Sequence, residues 1–562
     1  MRELDLADIQ GGILRAYGRL GFPKGRCFFL SVHEGAKGRR LVEALRPYVT
    51  TAARWVDPTR GEPLLRTRHP KVTDVIRAQG IDDYPGVVQL VKPKVAINVA
   101  FTFLGLLALE VPTRTLRGMP DEFVDGMEKR AAMLGDTPWL GKRDMIWQRA
   151  KEQPVHILVS MNAEMDDLGA PVAELETQTA WLIGLCAASE GGVELLSGHG
   201  PTQAQYQDMS AVLRDDSGKA APTNKEHFGL SDGFGDPVFV GQYGPKAEAI
   251  KRIGGGKLLP DQTWAPLATG EFLLGHVDEA QEIPDAGMPL EFSRNGTFMA
   301  YRKLHENTAS FSNYIKTQAQ TYASVMGLTD LDEAQATVSA KLVGRWNDGV
   351  PLMAADTYQK WQAFDAELAA AQQAGDKVKL AAMALDYVQF IYRPDPDGAT
   401  CPVTAHMRRM NTRDTLDPRF SSTDKKDWMG SALNNRRRIL RRGLPYGSVD
   451  GPNAADDAEH GIVFLAVCAN LFRQFEFVQQ QWVQYGLDFN AGSDTCPIVG
   501  NHNPDGAGPD AKFVIATKPG GAGAPFICER VPQFVEPRGG DYFFVPSMTA
   551  LRMIGMGIVD PT

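Results

Sequence analysis

The chain has 562 residues, of which 43% are hydrophobic and 23% charged, and its formal net charge is −9. A chain of this length exceeds one ordinary core, so we expect two domains or one fused duplex. The acidic balance argues against a nucleic-acid partner, because phosphate binding requires a concentrated basic face. No apolar run is long enough to span a membrane, so no membrane partner is expected.

The N-terminal segment and the cysteines predict the compartment. Residues 1–8 carry acidic side chains and no apolar stretch typical of a secretory signal, so a cytoplasmic location is expected by default, with export alongside a partner left open. The six cysteines are spread through the chain and form no CxxC pair. This spacing predicts reduced thiols.

Strand-like and helical segments alternate in the first 200 residues. Short β-branched or aromatic runs bounded by Gly, Pro or charge predict strands at 27–33, 96–103, 155–160 and 193–197. Apolar residues three and four positions apart predict helices at 39–46, 121–134 and 172–183. The order β, helix, β, β, helix, β is that of a ferredoxin-like unit.

A polar stretch at 214–224 precedes a second set of elements, so we place a domain boundary near residue 220 and expect domains at 1–220 and 221–562. The second set has predicted strands at 270–275, 296–302, 461–467 and 541–546, and predicted helices at 307–326, 356–388 and 471–485. A Gly- and Pro-rich stretch, 501–525, predicts a surface loop. The fold class is therefore predicted to be α+β, with two halves that repeat one topology.

An aspartate flanked by glycines is the first candidate functional group. In Gly229-Leu-Ser-Asp232-Gly233 the glycines allow a tight turn and a close approach to a ligand, which would direct the Asp232 carboxylate into a cavity. Asp-Gly is also the commonest turn dipeptide. Taken alone, the motif indicates an ordinary turn at least as well as a functional site.

His406 and a run of arginines are the second and third candidates. A buried histidine bonded to a carbonyl is the ordinary interpretation of any one histidine. The basic run at 434–447, which contains Arg441 and Arg442, by itself indicates a basic surface or an anion site. The combination is more informative, because a haem peroxidase needs an axial imidazole, a proton acceptor and a cation over the iron.

The sequence resembles the dye-decolorising peroxidases, and the matching motifs follow in order along nearly the whole chain. They lie at 8–14, 98–102, 229–233, 270–275, 295–298, 342–346, 401–406 and 439–447. The length and the Arg-Arg-Gly-Leu-Pro-Tyr-Gly run at 441–447 are more similar to the longer branch of the family than to the short bacterial one. One departure is visible at 411–414, where Asn-Thr-Arg-Asp replaces the family's frequent Asn-Pro-Arg-Asp and removes a rigid turn.

The resemblance implies a fold, a cofactor and an activity. The fold would be two ferredoxin-like domains, antiparallel sheets with helices, and the C-terminal domain would hold most of a haem b (iron protoporphyrin IX). The activity would be reduction of hydrogen peroxide to water, with one-electron oxidation of phenolic, aromatic or dye-type donors. A homodimer is compatible with the resemblance, and the absence of a CxxCH motif excludes c-type attachment of the haem.

The resemblance also implies the roles of individual residues. His406 would be the proximal iron ligand, Asp232 the distal acid–base residue and Arg441 the distal arginine, with Arg442 as the alternative to Arg441. Because an unperturbed aspartate has a pKa near 3.9, against about 6.5 for histidine, we expect peroxidase activity to persist into acid solution.

Three more side chains are candidates around the haem. Glu476 is a candidate acceptor for the second ring N–H of His406, and a helix-surface glutamate is nearly as good an interpretation. Arg345 and Arg302 are candidate partners of the haem propionates, although ordinary salt bridges explain either equally well. The sequence does not choose which of the surface Tyr or Trp residues relays electrons from bulky donors.

Three functional classes stay open on the sequence. The first is the haem peroxidase. The second is a haem-binding or haem-delivery protein of the same fold with incidental peroxidase activity, against which the presence of Asp232 and the arginines counts. The third is a haem-free ferredoxin-like interaction module.

Overall fold

A computed structural model gives the structure of the protein and describes residues 4–53, 55, 92–448, 455–503, 510–517 and 523–559. Within these residues the largest element is an antiparallel sheet of nine strands. The strands are β1 (Lys24–Val32), β2 (Val95–Phe101), β3 (Ile157–Ala163), β4 (Val193–Leu195), β5 (Gln207–Ser210), β6 (Thr297–Glu306), β7 (Leu440–Tyr446), β8 (Gly461–Cys468) and β9 (Val535–Val545).

Eight helical segments matter for the core and the site. They are α1 (Gly35–Leu45), α2 (Ala173–Ala187), α3 (Thr308–Met326), α4 (Leu331–Val343), α5 (Tyr358–Ala374), α6 (Lys377–Asp386), α7 (His406–Met410) and α8, a π-type helix made of Phe472–Glu476 and Val478–Val483. The other α-helices are Gly11–Leu14, Phe103–Ala108, Thr113–Leu116, Asp121–Asp125, Ala131–Leu134, Met145–Gln148, Pro245–Gly255, Leu290–Ser293, Ala432–Asn435 and Met548–Met556. The 3-10 turns are Tyr17–Leu20, Arg46–Tyr48, Thr137–Lys142, Thr269–Glu271, Lys425–Asp427 and Leu487–Phe489.

Three two-stranded sheets also form among the described residues. They pair Leu213–Asp216 with Lys219–Pro222, Lys257–Leu258 with Trp264–Ala265, and Phe513–Ile515 with Phe526–Cys528.

The sheet is a repeat of one topology. Its strands run in the order β7-β8-β6-β9-β2-β3-β1-β4, and β5 pairs with β1 beside β4. In the first half the chain order is β1, α1, β2, β3, α2, β4, and in the second it is β6, α3, β7, β8, α8, β9. Each half therefore has a βαββαβ connection and the spatial strand order 2-3-1-4, so the predicted α+β fold of two ferredoxin-like units is confirmed.

The two halves join through a narrow contact between β2 and β9. The one register pair between these strands is Phe101 with Phe544. The ring of Phe544 lies 5.7 Å from that of Phe292 and 6.0 Å from that of Phe298, and all four residues are fully buried. Aromatic packing, rather than a long ladder of hydrogen bonds, thus carries much of the junction.

Side chains of the strands alternate between two hydrophobic cores, as the pleat of a strand requires. On β1, Phe28 and Leu30 pack with α1 and α2, whereas Cys27 and Phe29 enter the core on the opposite face. Both faces are covered, and eight of the nine residues of β1 are consequently buried. The alternating pattern of the sequence is therefore weak along this strand.

Several predicted elements differ from the structure. The strand predicted at 270–275 is wrong, because the backbone N–H groups of Phe272 and Leu273 donate to Thr269 O and form a helical turn. The helix predicted at 121–134 is two short helices. The helix predicted at 356–388 is α5 and α6, separated at Gly375, whose φ of +63° ends the first helix in a left-handed cap.

Two strands of the large sheet, β5 and β7, were not expected from the sequence. β7 contains Gly443, Pro445 and two arginines, and this composition indicates a surface segment more than a strand. It forms because β7 is the edge strand of the sheet, where a proline does not interrupt a central ladder. Within the predicted loop 501–525, Phe513–Ile515 forms a strand. Residues 504–509 and 518–522 of this segment lie outside the described residues.

The predicted domain boundary near residue 220 stays a prediction, and so do the domains 1–220 and 221–562. Within the residues described, no helix has the length and apolar character needed to cross a membrane.

The junction of the half-sheets generates a first prediction. We expect Phe544→Ala to lower the free energy of unfolding by about 3–5 kcal/mol, because it removes a fully buried ring from a packed aromatic cluster. Chemical denaturation measures this change. As a control, Phe472→Ala should change stability by less than about 0.5 kcal/mol, because Phe472 is 56% exposed. Equal losses for the two variants would contradict the proposed role of the junction.

Candidate functional site

A cavity in the second half brings together the three main candidate residues, Asp232, His406 and Arg441. Among the described residues that line it, all except Asp136 lie after residue 220. One face of β6 and β8, the end of α4, and α7 and α8 form the walls. The apolar lining residues include Leu230, Phe234, Val343, Met407, Met410, Ile439, Ile462, Phe464, Val478 and Ile498.

A tight turn directs Asp232 toward this cavity. Gly229 and Gly233 have φ values of +83° and +94°, in the region that glycine adopts without strain. A Cβ on Gly233 would lie 2.6 Å from a guanidinium nitrogen of Arg19. The backbone N–H of Asp232 donates to Asn224 O at 2.8 Å and fixes the base of the turn. Both glycines are thus required by the backbone path that presents the aspartate.

Asp232 and Arg441 form an ion pair. Arg441 Nη1 donates to Asp232 Oδ1 at 2.5 Å, and Arg441 Nη2 donates to Phe234 O at 3.0 Å. The guanidinium therefore holds the carboxylate and the backbone that follows it. The Asp232 side chain is 55% exposed and that of Arg441 26%, because both open onto the cavity and onto a neighbouring one. The pair is in place to meet a small molecule.

The charge of Arg441 determines the ionisation of Asp232. Although its side chain opens onto the cavity, Asp232 lies deep among protein atoms, and this desolvation raises its pKa. The charge of Arg441, the backbone N–H of Gly233 and the hydrogen bond from Arg441 together hold the pKa below its usual value. The pKa of Arg441 is raised in turn by the charge of Asp232. Asp232 is consequently a carboxylate in neutral and in mildly acidic solution.

Arg442 has a different environment from Arg441. Successive residues of a strand point to opposite faces, and Arg442 points toward the N-terminal segment. Its guanidinium donates to Gly12 O, Ile13 O and the Asp236 carboxylate at 3.0, 2.9 and 3.1 Å. Arg442 does not line the cavity that contains His406. The structure therefore favours Arg441 over the alternative, Arg442, as the cation beside Asp232.

His406 is the first residue of α7, and its ring lines the same cavity. Nδ1 lies 3.2 Å from Sγ of the fully buried Cys496. Nε2 makes no hydrogen bond to any part of the chain that the structure describes. One ring nitrogen is therefore oriented by the protein, and the other is free to bind a ligand.

The hydrogen bond expected between His406 and Glu476 is wrong. Both oxygens of Glu476 accept from Arg130, at 2.9 and 2.6 Å, and Oε1 also accepts from the hydroxyl of Tyr542 at 2.8 Å. Cys496 takes the place expected for the glutamate. Burial raises the pKa of the Cys496 thiol, but the charges of His406 and Arg409 and the hydrogen bond of His406 outweigh it and lower the pKa to about 7.

Arg302 lines the cavity and has an unused donor. It lies on β6, where Nη2 donates to Asp136 Oδ1 at 2.6 Å. Nη1 is buried and has no hydrogen-bond partner within the described residues. Because a buried, unpaired guanidinium donor is costly, this group is in position for an anionic ligand.

Arg345 does not line the cavity. Its Nη1 donates to Gly349 O and Tyr387 O at 2.7 and 2.9 Å, and its guanidinium lies 5.1 Å from the ring centre of Phe234. The position of Arg345 therefore does not support its predicted contact with a haem propionate in this cavity. It supports Phe234, which does form part of the wall.

The cavity is also lined by residues that were not selected from the sequence. Glu226 and Glu306 line it, and so do Arg437, Arg438 and Asn411. Glu226 precedes the glycine-flanked turn by three residues, so the motif itself was a usable signal. Glu306 ends β6 at two-residue spacing from Leu304 and could have been found only from the register of the strand. Nothing in the sequence indicates that Cys496 meets His406.

The donor set is suited to a ligand that brings most of its own metal coordination. No group of three or more His, Cys, Asp or Glu side chains is placed to hold a metal ion in the part of the chain that the structure covers. A single imidazole nitrogen facing an apolar cavity is typical of haem ligation, where the porphyrin supplies four further nitrogens.

Sequence comparison relates the chain to peroxidases. Peroxidase 2 of Mycetinis scorodonius is 25% identical over 477 residues, which cover 82% of this chain and 76% of that protein. Multifunctional dye peroxidase DyP2 of an Amycolatopsis species is 29% identical over 351 residues, covering 58% of this chain and 61% of that protein. No protein-family model matches the chain.

Structural comparison gives the same relatives. A dye-decolorizing peroxidase in complex with 2,6-dimethoxyphenol superimposes with a TM-score of 0.65 at 23% identity, over 98% of this chain and all of that one. A fungal DyP-type peroxidase from Auricularia auricula-judae gives a TM-score of 0.65 at 21% identity, over 99% of this chain and all of that one. The resemblance to dye-decolorising peroxidases that the sequence indicates is therefore confirmed, in sequence and in fold.

Proposed function

We propose that the protein is a haem peroxidase that reduces hydrogen peroxide to water and oxidises phenolic, aromatic or dye-type donors in one-electron steps. The observation that carries this proposal is the cavity itself. One apolar space is lined by an imidazole with a free Nε2 and by a carboxylate already paired with an arginine. The similarity to dye-decolorizing peroxidases in sequence and fold supports it.

The residues of the cavity fit a haem b. His406 would bind the iron through Nε2, and the apolar walls would pack against the porphyrin. The buried Nη1 of Arg302, which has no partner among the described residues, would receive a propionate. When bound, haem would supply redox-active iron that gives two electrons to peroxide and recovers them singly from donors.

Asp232 would move the proton. Hydrogen peroxide must lose a proton from one oxygen and gain it on the other, which then leaves as water, so one group has to accept and then donate. The Asp232 carboxylate is ionised because Arg441 lowers its pKa, and it opens onto the cavity. It is therefore able to accept the proton even in mildly acidic solution.

Arg441 would have two functions. Its guanidinium remains charged at every working pH and can stabilise the negative charge that develops as the O–O bond breaks. It also keeps Asp232 ionised and holds the turn through Phe234 O. Arg442 is committed to Asp236 and the N-terminal carbonyls, so we assign it to the support of this turn region.

The proposed activity is tested with haem-loaded protein and one equivalent of hydrogen peroxide. We expect a Soret band, and a rapid spectral change on mixing in the stopped-flow instrument. Arg441→Leu should slow the reaction with peroxide by about two orders of magnitude, within the range for one preorganised donor. Asp236→Asn, which removes an ion pair behind the site, is the matched control and should retain most of the rate.

The three functional classes give different results in this experiment. A haem-free module would show no Soret band. A haem-delivery protein would bind haem and react slowly, with the same rate in Arg441→Leu. Either result would overturn the peroxidase assignment.

The contact between His406 and Cys496 generates another prediction. Cys496→Ala removes the acceptor of the Nδ1–H, so we expect haem affinity to fall by about tenfold or more. Transfer of haem to apomyoglobin measures the change. Cys496→Asp restores an acceptor and should restore retention. Cys528→Ala, at another buried thiol of the same hydrophobic cluster, is the control. Identical haem loss from Cys496→Ala and Cys528→Ala would contradict the assignment.

The homodimer compatible with the resemblance stays a prediction. The cytoplasmic location expected from the sequence stays a prediction.

A further inference from the structure

Two glutamates meet on the wall of the cavity that holds Asp232. Glu306 is the last residue of β6, is 3% exposed, and projects to the same face as Leu304. Glu226 lies on the segment that leads into the Gly229–Gly233 turn. The two carboxyl groups are close enough to share a hydrogen bond when one of them is protonated. The mechanism above uses neither group.

The hydrogen bonds assign different states to the two carboxyls. Glu226 accepts from the backbone N–H groups of Phe228 and Leu230, both at 2.7 Å, so its oxygens are well placed to carry a negative charge. Glu306 accepts one longer bond, from His227 N at 3.3 Å. Glu306 is consequently the member that holds the proton, and Glu226 is its acceptor.

In the described part of the chain, no cation is paired with either glutamate. Within the described residues no Lys or Arg forms an ion pair with Glu226 or Glu306. Lys225 Nζ, the nearest in sequence, donates to Gly229 O. Burial and the negative charge of Asp232 raise the pKa of both glutamates. Together with the hydrogen bond between them, this keeps at least one proton on the pair in neutral solution.

The other groups around the pair are neutral. The rings of His227 and His305 lie 5.5 and 5.4 Å from that of His460, and burial lowers the pKa of all three histidines. The Tyr446 hydroxyl also lies near Glu306, and burial raises its pKa. Asp232, which is paired with Arg441, is therefore the charge outside the pair that acts on both glutamates.

Glu226 connects the cavity with a larger space. It also lines a cleft of about 1220 Å³ that lies beside β1 and α3 and contains Lys225, Trp361 and Asp332. Glu306 lines the inner cavity and not the cleft. A proton that reaches Glu226 from the cleft can thus pass to Glu306, one hydrogen bond further inward.

The proposed reaction needs such a supply. Reduction of hydrogen peroxide to two waters consumes two electrons and two protons. Asp232 only moves a proton from one oxygen of peroxide to the other, so it delivers none of the two. A bulky donor oxidised outside the cavity releases its proton to solvent. Each electron that enters must be matched by a proton that enters from solvent.

We propose that the Glu226–Glu306 pair is the proton donor of the two electron-transfer steps, refilled through Glu226 from the cleft. In each step one electron leaves a donor and one proton leaves the pair, and after two steps the second oxygen atom of peroxide departs as water. The pair regains each proton from solvent, so protons and electrons balance. This inference rests on the proposed peroxidase function and adds a second acid to the site.

The test uses haem-loaded protein and two separate rates. Ferrocyanide is the donor, because it supplies an electron and no proton. In Glu306→Gln, which keeps a hydrogen-bond donor to Glu226 but has no transferable proton, the rate with ferrocyanide should fall about 100-fold, the lower end of general acid catalysis. The rate with peroxide should change less than about twofold. Glu367→Gln, at an exposed position on α5, is the control and should change neither rate.

A second measurement follows the proton itself. The infrared spectrum of the wild-type protein should contain a band from a buried protonated carboxyl that is absent in Glu306→Gln and present in Glu367→Gln. Loss of both rates in Glu306→Gln, no loss of either, or an unchanged infrared band would overturn the inference. A wild-type protein that does not react with peroxide would overturn the proposed function, and the infrared band would still report on the pair.

Discussion

The ion pair between Asp232 and Arg441 is the interaction on which the site depends. It joins a glycine-flanked turn to the edge strand of the sheet, and it determines whether the aspartate is a base. Burial alone would raise the pKa of this carboxyl, and the adjacent guanidinium reverses that effect. The second contact of Arg441, with Phe234 O, fixes the turn in the same position. Geometry and ionisation are thus set by one side chain.

The fold explains how these residues meet. Two βαββαβ units share a sheet, and the second unit forms nearly all of the cavity. Strand β7 lies at the edge of that sheet, so Arg441 can face the cavity while Arg442, its neighbour, anchors the N-terminal segment. Helix α7 and the π-type α8 cover the other side, and α7 begins at His406. The cavity therefore lies where strand register, turn and helix ends converge.

Much of this arrangement could be predicted from the sequence, for physical reasons that differ between residues. Seven of the eight strands of the two units were predictable from short apolar runs. β7 was not, because Arg441, Arg442 and Pro445 interrupt the apolar pattern that usually identifies a strand. Asp232 and Arg441 were found through glycine spacing and motif order. Their pairing at 2.5 Å is a long-range contact that no local pattern contains.

The errors at the candidate site concern tertiary contacts. Glu476 contacts Arg130 of the first half and Tyr542 of β9 because of how α8 packs on both. The guanidinium of Arg345 donates to Tyr387 O behind Phe234. The contact between Cys496 and His406 could not be predicted from the sequence, since 90 residues separate them. Glu306 was hidden for the same reason. Side-chain partners of this kind depend on packing between distant elements, whereas a turn or a strand depends mostly on its own residues.

The most direct test of the central claim is the pH dependence of the reaction with hydrogen peroxide, measured for the haem-loaded wild type and for Arg441→Leu. A base whose folded pKa is lowered stays active until the pH falls through that value. We expect the wild-type rate constant to hold well below pH 6, where an unperturbed histidine would already be protonated. In Arg441→Leu no guanidinium offsets the effect of desolvation, so the pKa of Asp232 should rise. The acid limb of the pH profile should therefore move to higher pH, and the rate constant should fall. An acid limb at the same pH in both proteins would contradict the account.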